Sequence, residues 1–216
     1  MERRPQTADR RPNRSHWEQV YRTRRSDEVS WYQAEPGTSL GLIQRVAPES
    51  RAPILDVGGG TSFLVDRLLA AGYSNVSVLD ISATALNQVR QRLSGDVASS
   101  VRLLEEDVLT VSLPPASIDV WHDRAVFHFL TNSADRDAYV AQVRRVLRPN
   151  GHAIVATFAE DGPQKCSGLP VARYSAAQLH AAFGNAFRMV DSVREVHATP
   201  SGAQQTFQYC ACLFVP

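Results

Sequence analysis

The sequence predicts an α/β fold in which a mostly parallel, doubly wound sheet is covered by helices on both faces. Three observations lead to this expectation. Short apolar runs alternate with helical segments from residue 53 onward, which is the pattern of βαβ units. The first apolar run ends in three glycines, Gly58 to Gly60, as in folds that bring the backbone close to a ligand. The length of 216 residues, 44% of them hydrophobic, suits one globular domain with a sizeable core.

In the first half of the predicted sheet, each strand is a short apolar run that is closed by a glycine or an acid. The helices between these runs follow helical spacing and carry boundary signals, because Gly72 can end the first helix and Ser82 can cap the second. In chain order, these elements are strand 54–57, helix 63–71, strand 76–79, helix 83–93 and strand 101–104.

In the second half, proline and glycine mark the boundaries. Pro114 and Pro115 precede the fourth strand, and Pro149-Asn150-Gly151 follows the long helix. The remaining elements are strand 118–121, helix 134–147, strand 153–158, helix 176–183, and strands 187–196 and 206–214, which form a hairpin around residues 200–202. Because such sheets bind ligands at the carboxyl ends of their strands, the candidate site lies in the loops after residues 57, 79, 104 and 121.

The chain before residue 53 has a different character. Residues 1–25 hold eight arginines against three acids, and the first fifteen contain almost nothing apolar. Such a segment cannot bury enough surface to offset the entropy of ordering, so we expect residues 1–15 to form a flexible basic tail. A solubilising leader is a simpler interpretation of this tail than a nucleic-acid-binding arm. Residues 16–50 form a short N-terminal segment with helices at 16–21 and 39–46.

Composition excludes several classes of function. The formal net charge of +1 provides no overall field that would attract nucleic acid or an anionic membrane. Cys166, Cys210 and Cys212 form no four-ligand set, so no structural zinc or other metal is expected. No apolar stretch of about 18 residues is present, and no signal peptide is recognisable. We expect a soluble, cytoplasmic protein, whose oligomeric state the sequence does not specify.

The glycine turn favours one ligand class over another. In the dinucleotide spacing G-x-G-x-x-G, the third glycine would fall on Phe63. Asp56 lies two residues before Gly58, and a carboxylate there would repel a pyrophosphate on the turn. It would suit a ligand that has a cationic amine and a sulfonium and no phosphates. These residues therefore argue against a nicotinamide oxidoreductase.

Two further acids follow strands at the same edge. Asp80 comes 20 residues after Gly60, where a carboxylate can accept hydrogen bonds from ribose hydroxyls. Asp107 follows the third strand and can accept from an adenine amine. The alternatives are structural: Asp80 as an acid at a helix N-terminus, and Asp107 as part of a solvated acidic turn.

With these residues the chain resembles the class I S-adenosylmethionine-dependent methyltransferases. The motifs that carry the resemblance are Asp56-Val57-Gly58-Gly59-Gly60, Asp80, Glu106-Asp107-Val108, Ile118 to Arg124 and Leu147 to His152. The resemblance implies a Rossmann-like sheet of seven strands, the last of them antiparallel, over a methyltransferase domain at residues 51–216. One departure is Ser62, where many members have a third glycine.

The resemblance also implies the cofactor and the residues that hold it. The cofactor is S-adenosylmethionine, and its implied contacts are Trp31, Asp56, Gly58, Gly60, Asp80, Ile81, Asp107, Val108 and Asp123. Residues 16–50 resemble a lid whose aromatic residues fold over the cofactor, since an aromatic face stabilises a sulfonium. The alternative for Trp31 is ordinary packing of a helical appendage.

Candidates for catalysis and acceptor binding follow the fourth and fifth strands. By the resemblance Asp123 lies where the donor methyl meets the acceptor, and His128 could be a base or a buried structural histidine. The loop after residue 158 is rich in breakers, and such loops often determine specificity. The candidate acceptor residues in that loop are Lys165, Cys166, Arg173 and Tyr174, with a plain surface turn as the alternative.

The sequence favours a methyltransferase that acts on a small-molecule nucleophile, with a thiol as one candidate. The chain is little more than a catalytic core and a short lid, and it lacks the Asn/Asp-Pro-Pro-Tyr motif typical of transfer to a DNA base amine. Two alternatives stay open, a protein lysine N-methyltransferase and a non-catalytic cofactor-binding subunit. A closed apolar pocket would favour a small acceptor, and a long acidic or aromatic groove would favour a lysine.

Overall fold

The fold is an α/β sandwich built on one seven-stranded mixed sheet, seen in a computed structural model that describes residues 13–93, 95 and 100–216. The strands of this sheet are β1 (Ile54–Val57), β2 (Val76–Asp80), β3 (Arg102–Glu105), β4 (Ile118–Arg124), β5 (Leu147–Phe158), β8 (Phe187–Ala198) and β9 (Gln204–Phe214). A separate hairpin consists of β6 (Lys165–Cys166) and β7 (Leu169–Pro170). The predicted α/β class is confirmed.

The strand order β3-β2-β1-β4-β5-β9-β8 determines where a ligand can bind. The first five strands of this order are parallel to one another, and β9 inserts antiparallel between β5 and β8. The predicted seven strands and the antiparallel last strand are therefore confirmed. The chain runs outward from β1 to β3 and then returns beside β1 as β4, so the topological switch point lies between β1 and β4.

Helices cover both faces of the sheet. They are α1 (Arg14–Thr23), α2 (Gly37–Val46), α3 (Leu64–Ala70), α4 (Ala83–Leu93), α5 (Ser133–Val146) and α6 (Ala176–Phe183). Alternate residues of β1 enter two separate cores, because successive side chains of a strand point to opposite faces. Ile54 packs with α2, α3 and α4 in one core, and Leu55 packs with α5 and α6 in the other.

Strand β4 is longer than the sequence predicts. The apolar run ends at Trp121, but the strand continues through His122, Asp123 and Arg124. These polar residues remain in the sheet because β1 and β5 flank them on both sides, and because each of their side chains forms a hydrogen bond within the protein. The extension moves three polar side chains from a loop into the centre of the sheet.

The N-terminal segment begins earlier than expected. Helix α1 starts at Arg14, and the side chain of Asn13 caps it by accepting from the His16 amide at 3.1 Å. Of the predicted flexible tail at residues 1–15, residues 1–12 lie outside the described residues. Within the described part of the chain, no helix has the length and apolar character needed to cross a membrane.

Candidate functional site

Two cavities meet at the carboxyl ends of β1 and β4. The first cavity reaches from the ends of β2 and β3 to the β6–β7 hairpin, and the second lies under the glycine turn and α2. Both cavities share four lining residues: Trp31, Val57, Gly58 and Arg124. The site is therefore where the strand order predicts it, at the switch point.

The glycine turn has no room for side chains at its two ends. Gly58 and Gly60 have φ angles of +62° and +51°, which favour glycine. A Cβ on Gly58 would lie 2.0 Å from Cγ2 of Val126, and one on Gly60 would lie 2.2 Å from the Tyr21 hydroxyl oxygen. Ser62, in place of a third glycine, accepts from the Leu64 amide at 3.1 Å and so helps to start α3.

Asp80 is a buried carboxylate on the wall of the first cavity. Its two oxygens accept from the amides of Gly60 and Ser82, both at 2.8 Å. Burial raises the pKa of Asp80 to about 6 in spite of these two hydrogen bonds. A carboxylate has lone pairs beyond the two used here, so Asp80 can fix the glycine turn and still accept from a ligand.

The far end of the first cavity is formed after β3. Ile81, Asp107 and Val108, the predicted adenine-end contacts, line it, and Glu106 lines it as well. The Leu109 amide donates to the Asp107 carboxylate at 2.9 Å, which turns the chain at this point. This end of the cavity combines apolar walls with carboxylates.

Three aromatic residues of the N-terminal segment, Trp17, Tyr21 and Trp31, form what we call the aromatic roof over the first cavity. The ring centroids of Trp17 and Trp31 are 5.8 Å apart, in an edge-to-face arrangement. The Trp17 ring centroid also lies 5.3 Å from that of Phe129, another residue that lines this cavity. Edge-to-face packing of this kind fixes the rings relative to each other.

The aromatic roof is attached at both of its ends. At the α1 end, Glu18 accepts from the amide and the hydroxyl of Thr84, and Gln88 donates to the Tyr21 carbonyl at 2.9 Å. At the Trp31 end, Arg124 donates to the Trp31 carbonyl at 3.1 Å. The roof thus joins the first helix after β2 to the end of β4.

The second cavity contains a buried acid–histidine pair. Asp56 and His122 occupy paired positions on β1 and β4, and Asp56 Oδ1 lies 2.7 Å from His122 Nδ1. Both side chains line the second cavity, as do Gly58 and Gly59. The hydrogen bond to Asp56 orients the imidazole, in the manner of other acid–histidine pairs.

Asp123 does not lie where the sequence analysis expected it. Its carboxylate is fully buried behind the cavity walls and accepts from the amides of Val126 and Phe127 and from the Tyr139 hydroxyl at 2.8, 3.0 and 2.5 Å. Burial raises the pKa of Asp123 to about 6. These hydrogen bonds shape the turn that carries Ala125 and Val126 to the first cavity. Asp123 therefore fixes the position of two lining residues and does not line the cavity itself.

His128 is also placed behind the site. The side chain is fully buried, with its ring centroid 4.5 Å from that of Phe129 and 4.9 Å from that of Phe158. Neither ring nitrogen has a hydrogen-bond partner. Burial, with Arg124 nearby, lowers the pKa of His128 to about 3, so the ring is neutral at physiological pH.

Of the four predicted acceptor residues, the structure brings one to the cavity. Cys166 is buried and lines the first cavity, and burial raises the pKa of its thiol to about 12. Lys165 and Arg173 are exposed, and Tyr174 packs on Phe127 in the core of the α5 face. Lys165 points away because neighbours on a strand face opposite sides.

Sequence reasoning missed several lining residues. Tyr21, Phe129 and Arg124 line the first cavity and were not among the predicted cofactor or acceptor contacts. Trp17 and Tyr21 are four residues apart, one helical turn, and that spacing could have placed both rings on one face of α1. Arg124 belongs to the fourth-strand motif, but its place between the two cavities depends on β4 continuing past its apolar run.

A family model for a methyltransferase domain matches residues 55–155. Among curated relatives, the zebrafish (Danio rerio) EEF1A lysine methyltransferase 2 is 32% identical over 111 residues, covering 49% of this chain and 48% of the relative. The zebrafish eEF1A lysine and N-terminal methyltransferase is 24% identical over 191 residues, covering 87% of this chain and 27% of the relative. The chain thus spans less than half the length of these two relatives.

Solved structures share the fold. The 1,6-didemethyltoxoflavin-N1-methyltransferase of Burkholderia thailandensis has a TM-score of 0.70 at 21% identity, covering 94% of this chain and 87% of that one. A second structure has a TM-score of 0.74 at 17% identity, covering 92% of this chain and 90% of that one. It comes from a study of the conversion of a disulfide bond into a thioacetal group during echinomycin biosynthesis. At these identities the similarity is one of architecture.

Proposed function

We propose that this chain, which belongs to the class I S-adenosylmethionine-dependent methyltransferases, methylates a small molecule held under the aromatic roof. The observation that supports the proposal is the aromatic lining of the first cavity, where Trp17 contacts both Trp31 and Phe129 edge to face. A small acceptor can be surrounded there and shielded from water.

The chemistry of the lining residues fits the cofactor of this family. Asp80 is a buried carboxylate suited to accepting from ribose hydroxyls, and Asp107 with Val108 and Ile81 would hold the adenine. Gly58 lines both cavities and has no side chain, so a ligand can approach its backbone there. We assign these residues, together with Asp56 and Gly60, to cofactor binding.

S-adenosylmethionine supplies a methyl group on a sulfonium, which a well-placed nucleophile can accept without further activation of the donor. The residues of this chain then have to orient the acceptor and exclude water. Trp31 lines both cavities, so its ring can stabilise a cation at their junction. Asp123 positions the Ala125–Val126 turn through its hydrogen bonds, and His128 supports Phe129 as a neutral ring.

We place the acceptor at the end of the first cavity that Cys166 lines, and the charges there favour a neutral or anionic nucleophile. The lining carboxylates Asp80, Glu106 and Asp107 lie at the ends of β2 and β3, whereas Arg124 lies near Cys166. A guanidinium next to the acceptor would oppose a protonated amine and would favour a thiolate. With its raised pKa, Cys166 serves as a neutral wall residue.

A lysine side chain of a protein is the second candidate acceptor. The support for it is the similarity to two curated relatives whose names describe them as eEF1A lysine methyltransferases. Against it stand the roof over the first cavity and the position of Arg124, which disfavour a long cationic side chain.

The two candidates can be separated by product. The chain would be incubated with labelled S-adenosylmethionine and a panel of thiols, phenols, carboxylates and amines, and in parallel with eEF1A, with products identified by mass spectrometry. We expect label in a small acceptor, and we expect the Trp31→Ala variant to lose this activity. Transfer to protein lysine alone would overturn the proposal. Cofactor binding with no transfer to any acceptor would favour a non-catalytic subunit.

A further inference from the structure

A third cleft lies along the last residues of α1 and the segment that follows them. Its volume is about 560 Å³, which is typical of small-molecule sites. It shares Tyr21 with the lining of the first cavity, and Ser26 and Tyr32 with the lining of the second. The proposed methyl transfer does not use this cleft, so it is open to a second ligand.

The charge of the third cleft is positive. Its lining holds three arginines, Arg22, Arg24 and Arg25, and one acid, Asp27. The Asp27 carboxylate accepts from Nε and Nη2 of Arg25, both at 3.0 Å, so these two charges offset each other. In the part of the chain that the structure describes, no acid pairs with Arg22 or Arg24, and both residues are exposed. Two unpaired guanidinium groups on one cleft attract an anion.

These two arginines belong to the basic run at the start of the chain, where residues 1–25 hold eight arginines against three acids. Arg22 lies in the last turn of α1, where a cation complements the helix dipole. Arg24 follows the helix in an extended conformation. A role in the helix dipole would affect the stability of the protein, whereas an anion site predicts an effect on ligand affinity, so measurement can separate the two.

Aromatic rings supply the apolar part of the third cleft. Tyr32 and Phe63 both line it, and their ring centroids are 6.1 Å apart in an edge-to-face arrangement. Arg92 Cζ lies 4.3 Å from the centroid of the Phe63 ring, and the Arg92 guanidinium is itself paired with Asp66 at 2.8 Å. Both rings are half-buried. An aromatic group can therefore pack against them while an anion attached to it reaches the arginines.

We propose that the third cleft binds the phosphate monoester of an aromatic molecule, with Arg22 and Arg24 pairing with the phosphate and with Tyr32 and Phe63 packing against the ring. A phosphate dianion matches two unpaired guanidinium groups in charge, and guanidinium groups pair bidentately with phosphate oxygens. A carboxylate would leave one of the two positive charges uncompensated. This inference goes beyond the proposed function and does not depend on it.

The test titrates the ¹⁵N-labelled protein with phenyl phosphate and follows the amide NMR signals. The pH is 8, where a phosphate monoester carries nearly two negative charges. We expect saturable shifts of the residues that line the third cleft, both with and without S-adenosylhomocysteine. Benzoate keeps the ring but has a single charge, and inorganic phosphate lacks the ring, so each should bind about tenfold more weakly than phenyl phosphate.

The variants test the assigned contacts. Arg22→Gln/Arg24→Gln should weaken phenyl phosphate binding by about tenfold or more. Arg144→Gln/Arg188→Gln is the matched control, because it removes two exposed arginines on α5 and β8 and should keep the wild-type affinity. If the first variant does not fold, Phe63→Leu serves, and it should reduce the preference for phenyl phosphate over inorganic phosphate.

A free aryl phosphate and a phosphotyrosine side chain offer the same chemistry, and a capped phosphotyrosine tripeptide distinguishes these two sources. Tighter binding of the tripeptide than of phenyl phosphate assigns the cleft to a phosphorylated protein. Equal or weaker binding of the tripeptide assigns it to a free aryl phosphate. Both results support recognition of the phosphate monoester.

Four results would overturn the inference. The first is the absence of saturable binding of phenyl phosphate by the wild type, and the second is wild-type affinity in Arg22→Gln/Arg24→Gln. The third is equal binding of benzoate and phenyl phosphate, which would show that the second negative charge is not recognised. The fourth is displacement of phenyl phosphate by S-adenosylhomocysteine, which would place the anion in the cofactor site.

Discussion

The hydroxyl group of Tyr21 lies directly against Gly60, so that a Cβ on this glycine would be 2.2 Å from the tyrosine oxygen. This contact joins the aromatic roof to the glycine turn, because Tyr21 belongs to α1 and Gly60 follows β1. Gly60 also donates its amide to Asp80 at 2.8 Å. The roof, the turn and the buried carboxylate therefore form one connected unit.

The first prediction concerns that contact. We expect Gly60→Ala to displace Tyr21 and to weaken S-adenosylhomocysteine binding at least tenfold, measured by calorimetry. Gly168→Ala is the matched control, because Gly168 also has a positive φ, +79°, but has open space around it. In both variants an alanine must adopt a left-handed backbone conformation, which should lower the free energy of unfolding by about 1–2 kcal/mol. Only Gly60→Ala should also lose affinity for S-adenosylhomocysteine. Equal affinities would contradict the contact.

The second prediction is a pH dependence of cofactor affinity. Burial raises the pKa of Asp80 to about 6, and accepting from ribose hydroxyls requires the ionised carboxylate. We expect the affinity for S-adenosylhomocysteine to be constant from pH 8 to 7 and to fall as the pH decreases through about 6.

The Asp80→Asn variant is the control for this pH dependence. It should bind about 10- to 100-fold more weakly at pH 8, as for a lost charged hydrogen bond, and should lack the additional fall below pH 6. A wild-type protein that binds equally well at pH 8 and pH 5 would refute the assigned role of Asp80.

The third prediction uses the three tryptophans as reporters. Trp17 and Trp31 line the first cavity, whereas Trp121 is buried in the core, with its ring nitrogen donating to Tyr139 at 2.8 Å. We expect S-adenosylhomocysteine to change the tryptophan emission of the wild type and of Trp121→Phe. The Trp17→Phe/Trp31→Phe double variant should show no change. A response that depends on Trp121 alone would place the ligand elsewhere.

The fourth prediction concerns Asp123 and stability. Its folded-state pKa of about 6 is above the ordinary value of 3.8, so the folded protein binds the proton more tightly than the unfolded chain. The stabilising contribution of this group is therefore full below pH 3.8 and is lost as the pH rises through about 6.

Urea unfolding of the wild type and of Asp123→Asn can measure this contribution. At pH 7 we expect the variant to be less stable by about 1–3 kcal/mol, because an amide cannot accept from all three donors. The difference should increase on going to pH 5. A difference that shrinks on acidification would contradict the raised pKa.

Much of the fold follows from local patterns. The helix at Ala83–Leu93 has the predicted bounds, and Ser82 accepts from the Ala85 amide at 3.2 Å as a cap. Gly58 and Asp80 lie at the site because a tight turn and a strand end are local features. These positions are set by neighbours in the sequence, so a single sequence is sufficient to predict them.

The positions that sequence reasoning misplaced depend on distant partners. Asp123 is enclosed because Tyr139, on α5, donates to it, and no local pattern indicates that bond. Arg124 reaches both cavities because Tyr209 and Phe207 on β9 fix its side chain. Lys165 and Cys166 were grouped as one loop, but the short hairpin turns one outward and the other inward.

The attachment of the aromatic roof at both ends has a kinetic consequence. Glu18 fastens it to α4 and the Trp31 carbonyl fastens it to β4, so we expect one fastening to open when spent cofactor is exchanged for fresh cofactor. Observed association rates should then level off at high ligand concentration, at the rate of that opening. Where this rate is slower than methyl transfer, loosening the Glu18 contact would speed up each catalytic cycle while weakening the hold on the ligand.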